Sequence, residues 1–173
     1  MYDVILISHY IIDYCNGNGY FISNLKLQKL LYFVQIKFLL EKEVLCFQDD
    51  IVAVDFGVIV PLVYQKYFSY GSSMIPHSMV FNRKIYPITE EDKDIIDGVI
   101  MDVGNYSSTI LLKRILSQDV WKQAYYSSDS KVISRDDISK YLEKKQTEKP
   151  VVKAKIYSLD EYRKKMINKS DEE

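Results

Sequence analysis

Residues 23–33 read Ser-Asn-Leu-Lys-Leu-Gln-Lys-Leu-Leu-Tyr-Phe. Large apolar side chains recur there three and four positions apart, and the spacing continues beyond the stretch, at Leu27, Leu30, Leu31, Val34 and Phe38. This period places them on one face of an α-helix. Ser23 or Asn24 offers a side-chain oxygen to cap its start. Lys26, Lys29 and Lys37 fall roughly opposite the leucines, which predicts a solvated face.

Similar patterns predict further helices on both sides of this one. An apolar period runs from Val4 to Tyr14, and Thr89 precedes three acids, an arrangement typical of a helix start. Helices are also predicted after Pro61 and after Ser107, and a short one over Trp121–Tyr126. The β-branched run Asp50–Phe56 predicts one short strand ending at Gly57, and Arg83–Tyr86 is predicted to be extended. The predicted fold is mainly α: a compact helical domain with a short β element and a helical C-terminal extension.

The composition changes after Tyr126, so we predict a helical domain over residues 1–126 and a charged extension over 127–173. Two short helices are predicted in the extension, the first opened by residues 134–137 and the second, Leu159–Asn168, by the capping box at Ser158. Glu143–Pro150 between them is charged and aperiodic, which is typical of a linker.

Length and charge limit the function classes. The chain has 173 residues, 47% of them hydrophobic, which suits one domain with a real core. Its net charge of -1 gives no overall attraction to nucleic acid or to an anionic membrane. No signal peptide or membrane span is recognisable, so a cytoplasmic location is expected. Cys15 and Cys46 lie far apart without neighbouring metal ligands, and we expect buried, reduced thiols.

Catalytic constellations are not recognisable in the sequence. His9 and His77 are its two histidines, too few for a multi-histidine metal centre, and no nucleophile is paired with a base. The glycines form neither a phosphate-binding loop nor a dinucleotide fingerprint. We therefore expect a protein that is not an enzyme and that needs no cofactor or metal.

Tyrosine is unusually frequent, at 15 residues. Tyr64, Tyr67 and Tyr70 are spaced three apart and are predicted to share one side of the third helix. Tyr157 and Tyr162 lie in the extension. Tyrosine is enriched at protein interfaces because it supplies a large, rigid contact area, so these five are candidate partner-binding residues. The alternative is that they border a small core.

Two motifs and a tryptophan resemble the Panacea domain, a phage-associated family of bacterial antitoxins. The residues that carry the resemblance are Lys26, Leu27, Lys29, Leu30, Leu31, Tyr32 and Phe33, then Ala53, Gly57, Pro61, Val63 and Tyr64, and finally Trp121, Lys122 and Ala124. The pattern departs at Asp55-Phe56, where the family has a tryptophan-containing pair, and at Val58 and Val120, where it has proline. Its histidine before the tryptophan is missing. The resemblance spans about residues 2–126.

The resemblance implies the antitoxin of a type II toxin–antitoxin system, which neutralises a protein toxin encoded beside it by direct binding. Toxins associated with the family are unrelated to one another and include translation-inhibiting enzymes similar to alarmone synthetases. Occlusion of the toxin's active site is the first mechanism to consider. The alternative is a proteolytic adaptor that delivers bound toxin to an AAA+ protease. A DNA-binding role is disfavoured by the near-neutral charge.

Overall fold

The computed structural model describes residues 1–77 and 82–148. Seven α-helices lie in this described part: α1 Val4–Gly17, α2 Asn24–Lys42, α3 Pro61–Lys66, α4 Glu90–Val103, α5 Ser108–Leu116, α6 Asp119–Ser127 and α7 Arg135–Glu148. It also contains three short strands, β1 Ile51–Val54, β2 Gly57–Ile59 and β3 Val132–Ile133, and 3₁₀ turns at Phe68–Tyr70 and Arg83–Ile85. The predicted mainly-α fold with a short β element is confirmed.

The central helix of the fold is α2. It contacts α1, α4, α5 and α7 as well as α3 and the sheet, and twelve of its nineteen residues are buried. A helix surrounded in this way has no wide solvated face. The prediction of such a face was therefore wrong for Lys26 and Lys29, which are 5% and 1% exposed. Lys37 alone of the three is half exposed, and it pairs with Glu41.

The predicted strand is the first arm of a hairpin. Strand β1 pairs antiparallel with β2, with Val54 opposite Gly57, so Asp55-Phe56 forms a two-residue turn. The other edge of β1 pairs with β3, where Ile51 lies opposite Ile133. Gly57 therefore begins the second strand and does not simply end the first.

Residues beyond Tyr126 belong to the same packing unit as those before it, at least as far as the helix α7. Ile133 of β3 and Ile138 of α7 are buried in the core, and α7 packs against α2 and α6. The boundary predicted at residue 126 does not coincide with a break in packing. The linker predicted over Glu143–Pro150 is wrong for residues 143–148, which continue α7; the helix Leu159–Asn168 lies outside the described residues.

Capping side chains confirm several predicted helix starts. The Asp3 carboxylate accepts hydrogen bonds from the first turn of α1, and Thr89 and Ser107 cap α4 and α5. Arg83–Tyr86 is not extended as predicted, because Arg83–Ile85 forms a 3₁₀ turn. This turn directs the Arg83 guanidinium to three carboxylates of α4: Glu90, Asp94 and Asp97.

Both cysteines are free and buried, as predicted. Burial raises the pKa of the Cys15 thiol to about 12. Among the described helices, none combines the length and the apolar character needed to cross a membrane.

Candidate functional site

The residues of the two motifs converge where α2 meets the hairpin and α3. The Gln28 amide oxygen accepts a hydrogen bond from the Val60 backbone N–H at 2.9 Å, and the Gln28 amide nitrogen donates to Asn24 at 2.8 Å. Asn24 in turn donates to the carbonyl oxygen of Tyr64 at 2.9 Å. Two buried amide side chains of α2 thus fix the position of β2 and α3.

Gly57 is required at its position for two reasons. Its φ of +112° lies in a region that side chains with a Cβ rarely adopt. A Cβ would also lie 3.1 Å from Leu112 Cδ1 and 3.6 Å from Lys29 Cε. The Gly57 carbonyl oxygen accepts a hydrogen bond of 2.5 Å from the Trp121 indole N–H. The hydrogen bond between Gly57 and Trp121 therefore joins the hairpin to α6. The side chain of Lys29 packs against Gly57.

The two motif lysines occupy different electrostatic environments. The Lys26 ammonium donates to the carbonyl oxygens of Phe21 and Gly104, at 2.7 and 2.5 Å. Lys29 makes one hydrogen bond, at 3.1 Å to the Leu25 carbonyl, and within the described chain it forms no ion pair. Burial lowers the pKa of Lys29 to about 8 and also lowers that of Lys26. Both side chains are largely buried; Lys29 packs against Gly57, and Lys26 lies at the wall of a cleft.

The hairpin turn, α3 and the 3₁₀ turn that follows α3 present three aromatic rings in a row, which we call the aromatic ladder: Phe56, Tyr64 and Phe68. The rings of Phe56 and Tyr64 stack at 5.9 Å, and those of Tyr64 and Phe68 meet edge to face at 5.8 Å. Phe56 is 37% exposed and Phe68 60%. Their neighbour Leu62 is also exposed. A large apolar area therefore faces solvent on a rigidly held segment.

A second aromatic cluster lies on α6, and we call it the α6 stack: Trp121, Tyr125 and Tyr126. The Trp121 and Tyr125 rings stack in parallel at 4.7 Å, while Tyr126 is 75% exposed. The Tyr125 hydroxyl donates a hydrogen bond to Asp55, which raises the pKa of that tyrosine. Because Asp55 precedes Phe56 in the turn, the hairpin links the α6 stack to the aromatic ladder.

The predicted row of tyrosines on the third helix was wrong. Helix α3 ends at Lys66, and the chain then enters a 3₁₀ turn, so Tyr64, Tyr67 and Tyr70 do not share one side. Tyr64 is half-buried in the ladder and Tyr70 is exposed, whereas Tyr67 is buried and its hydroxyl has no hydrogen-bond partner among the described residues. Tyr157 and Tyr162 lie outside the described residues.

Sequence reasoning overlooked the phenylalanines of the ladder and two tyrosines of the α6 stack. Phe56 and Phe68 are both exposed, and Tyr125 lies four residues after Trp121, a spacing that places both rings on one helix face. That spacing was available from the sequence. The contact between the turn and α6 was not, because it joins residues about 70 positions apart.

A family comparison assigns this arrangement to a known group. The sequence model described as "Antitoxin SocA-like, Panacea domain" matches residues 27–122, more than half of the chain. The chain belongs to this family. The Panacea match includes Lys29, Gly57, Pro61, Tyr64 and Trp121. No curated protein and no solved structure matches the chain.

Membership of the Panacea family gives the chain an antitoxin role in general terms and implies a protein toxin as its partner. Of the predicted motif residues, Leu27, Leu30, Leu31 and Tyr32 are buried in the core, so they build the fold that carries the surface. No group of His, Cys, Asp or Glu side chains in the described ranges is arranged to hold a metal ion.

Proposed function

We propose that this Panacea protein is the antitoxin of a type II system and that it neutralises its toxin by direct binding through the aromatic ladder and the α6 stack. The observation that supports this proposal is the exposed, ordered row of Phe56, Tyr64 and Phe68. The protein acts in the cytoplasm by binding, not by catalysis. Occlusion of the toxin's active site is the mechanism, and a translation-inhibiting enzyme similar to alarmone synthetases is a suitable toxin.

Aromatic side chains suit this task because a few well-packed rings supply most of the energy of a typical protein interface. Rings that are already ordered lose little conformational entropy on binding. Here the ladder is ordered by ring contacts, and its supporting backbone is held by Gln28, Asn24 and Trp121. The motif residues of α2 and Gly57 thus support the surface from inside the fold, whereas the motif residues Tyr64 and Trp121 belong to the ladder and the α6 stack.

The test is co-expression with the neighbouring gene, whose product should be lethal alone. Phe56→Ser combined with Phe68→Ser should lower toxin affinity at least about 100-fold, since hot-spot residues contribute about 2 kcal/mol or more each. Met101→Ser is the matched control, because Met101 is 59% exposed on α4, and it should retain full protection. Full protection by the double variant, with an unchanged dissociation constant, would remove the ladder from the binding surface.

Two further measurements distinguish the mechanisms. Occlusion predicts a stable complex, whereas an adaptor for an AAA+ protease predicts a shorter toxin lifetime when the antitoxin is present. Truncation after Glu148 removes Tyr157 and Tyr162 and leaves α7 in place. A loss of protection on this truncation, with unchanged thermal stability, would assign toxin contacts to residues 149–173.

A further inference from the structure

A cleft of about 500 Å³, lined by no residue of the ladder or the α6 stack, lies between the loop that precedes α2 and the loop that joins α4 to α5. Lys26 lines it, together with hydroxyl-bearing side chains that include Ser23, Ser107 and Ser108. No Asp or Glu is among the residues that line it. The lining exposes more apolar than polar surface, and its one charged side chain, Lys26, has no carboxylate beside it in the cleft.

Two helices begin at this cleft. The first turns of α2 and α5 contribute Leu25 and Ser108 to its lining. The first backbone N–H groups of a helix have no partner within the helix, and the helix dipole makes that end positive. The N-termini of α2 and α5 therefore offer several N–H donors to an anion. Phosphate groups are commonly bound in this way.

Ser23 gives an independent indication that a ligand belongs here. It is 6% exposed and occupies the N-cap position of α2, yet its side chain makes no capping hydrogen bond. The corresponding side chains of Asp3, Thr89 and Ser107 all accept backbone N–H groups. The Ser23 hydroxyl lines the cleft, where it can donate a hydrogen bond to a ligand oxygen.

Lys26 supplies the formal charge. Two of its three protons are directed to the carbonyl oxygens of Phe21 and Gly104. These bonds fix the ammonium at the wall of the cleft and occupy two oxygens that would otherwise repel an anion. The third proton stays available to a ligand. A guanidinium, that of Arg114, lies 4.6 Å from the centre of the Tyr106 ring, another part of the lining.

We propose that this cleft binds a phosphate group at Ser23, Lys26 and the start of α5. The phosphate can come from inorganic phosphate or from a nucleotide. The lining also contains Tyr20, Phe21 and Tyr106, whose rings can stack on a base, and the volume lies within the usual range for small-molecule sites. A nucleoside phosphate therefore fits the cleft better than the free ion. This proposal is independent of the toxin-binding surface.

The experiment titrates the full chain by calorimetry with ADP, inorganic phosphate and adenosine. ADP should bind more tightly than adenosine, and phosphate should compete with it. Tighter binding of ADP than of phosphate identifies a nucleotide as the source, and equal affinities identify the free ion; either result supports the phosphate site. No binding of ADP or phosphate at millimolar concentration, or adenosine binding as tightly as ADP, overturns the proposal.

Ser23→Asp is the decisive variant. Aspartate is a favourable N-cap, so the thermal midpoint should be unchanged or higher, while its carboxylate occupies the anion position and should weaken ADP binding at least about tenfold. Thr89→Asp makes the same change at the cap of α4, outside the cleft lining, and should leave ADP affinity unaltered. Equal ADP affinity of Ser23→Asp and the unaltered chain would refute the site.

Discussion

Replacement of Lys29 by methionine should make the protein more stable at neutral pH. The folded-state pKa is about 8, against an ordinary value of 10.5, because the ammonium is buried. This difference of about 2.5 in pKa, at about 1.4 kcal/mol for each pH unit, gives a penalty of about 3.5 kcal/mol. Methionine keeps much of the packed stem of Lys29 and removes the charge. We expect a gain of about 1–3 kcal/mol in the free energy of unfolding at pH 7.

The pH dependence identifies the cause. Below pH 8 the lysine is protonated in both states, so the penalty is complete. Between about pH 8 and 10.5 the folded state loses the proton first, and the stability of the unaltered chain rises towards that of Lys29→Met. The advantage of the variant should therefore shrink over this interval. Other titrating groups contribute equally to both proteins and cancel in the difference.

Lys26→Met is the matched control from the same helix. Its ammonium satisfies two carbonyl oxygens, and methionine would leave both without this donor, so we expect a loss of about 1–3 kcal/mol. Urea unfolding at pH 7 and at pH 10 measures all three proteins. A Lys29→Met protein that is less stable than the unaltered chain at pH 7 would refute the burial penalty. A stability difference that does not depend on pH would refute it as well.

Three other substitutions test the support of the hairpin and the end of α2. Trp121→Phe removes the indole donor to the Gly57 carbonyl and should cost about 1–3 kcal/mol in urea unfolding; an unchanged midpoint would show that the bond is dispensable. Gly57→Ala places a Cβ at an unfavourable φ and close to Leu112. We expect a loss of about 1–3 kcal/mol in the free energy of unfolding, and a gain would contradict this expectation. Glu43→Gly should add about 0.5–1 kcal/mol, because Glu43 ends α2 at a φ of 55°. A thermal melt that shows no increase would argue against strain there.

The sequence predicted the caps of α4 and α5 correctly, since a cap is a local interaction, but the cap predicted for α2 was wrong, because the Ser23 side chain makes no capping hydrogen bond. Thr89 and Ser107 lie three residues before the N–H groups whose hydrogen bonds they accept. The acidic residues after Thr89 also stabilise the N-terminus of α4. The hairpin was predicted only in part. Its first strand has a β-branched composition, but its second is three residues long and depends on contacts with α2 and α6 that no local pattern encodes.

The error over Lys26 and Lys29 has a general physical cause. A helical period separates two stripes, and the usual assumption is that the polar stripe faces solvent. That assumption fails for a central helix such as α2, where α4 and the hairpin cover the second stripe. Lys26 is accommodated because its ammonium finds two carbonyl partners, whereas the buried Lys29 ammonium makes one hydrogen bond and destabilises the fold at neutral pH. A polar residue on a central helix thus signals a specific internal contact.

This distinction changes how the motif should be interpreted. Its apolar and lysine residues lie inside the domain, where they hold the hairpin, while the exposed rings of the ladder and the α6 stack are those of Phe56, Phe68 and Tyr126. Phe56 belongs to the very pair in which this chain departs from the pattern of the family. A scaffold can be kept while its exposed turn changes, because Gln28 and Trp121 hold the backbone of Val60 and Gly57 after the turn, and neither bond uses a side chain of the turn. We therefore expect residues 55–56 and the exposed rings beside them to determine which toxin the protein binds. The helix that identifies the family should not determine it.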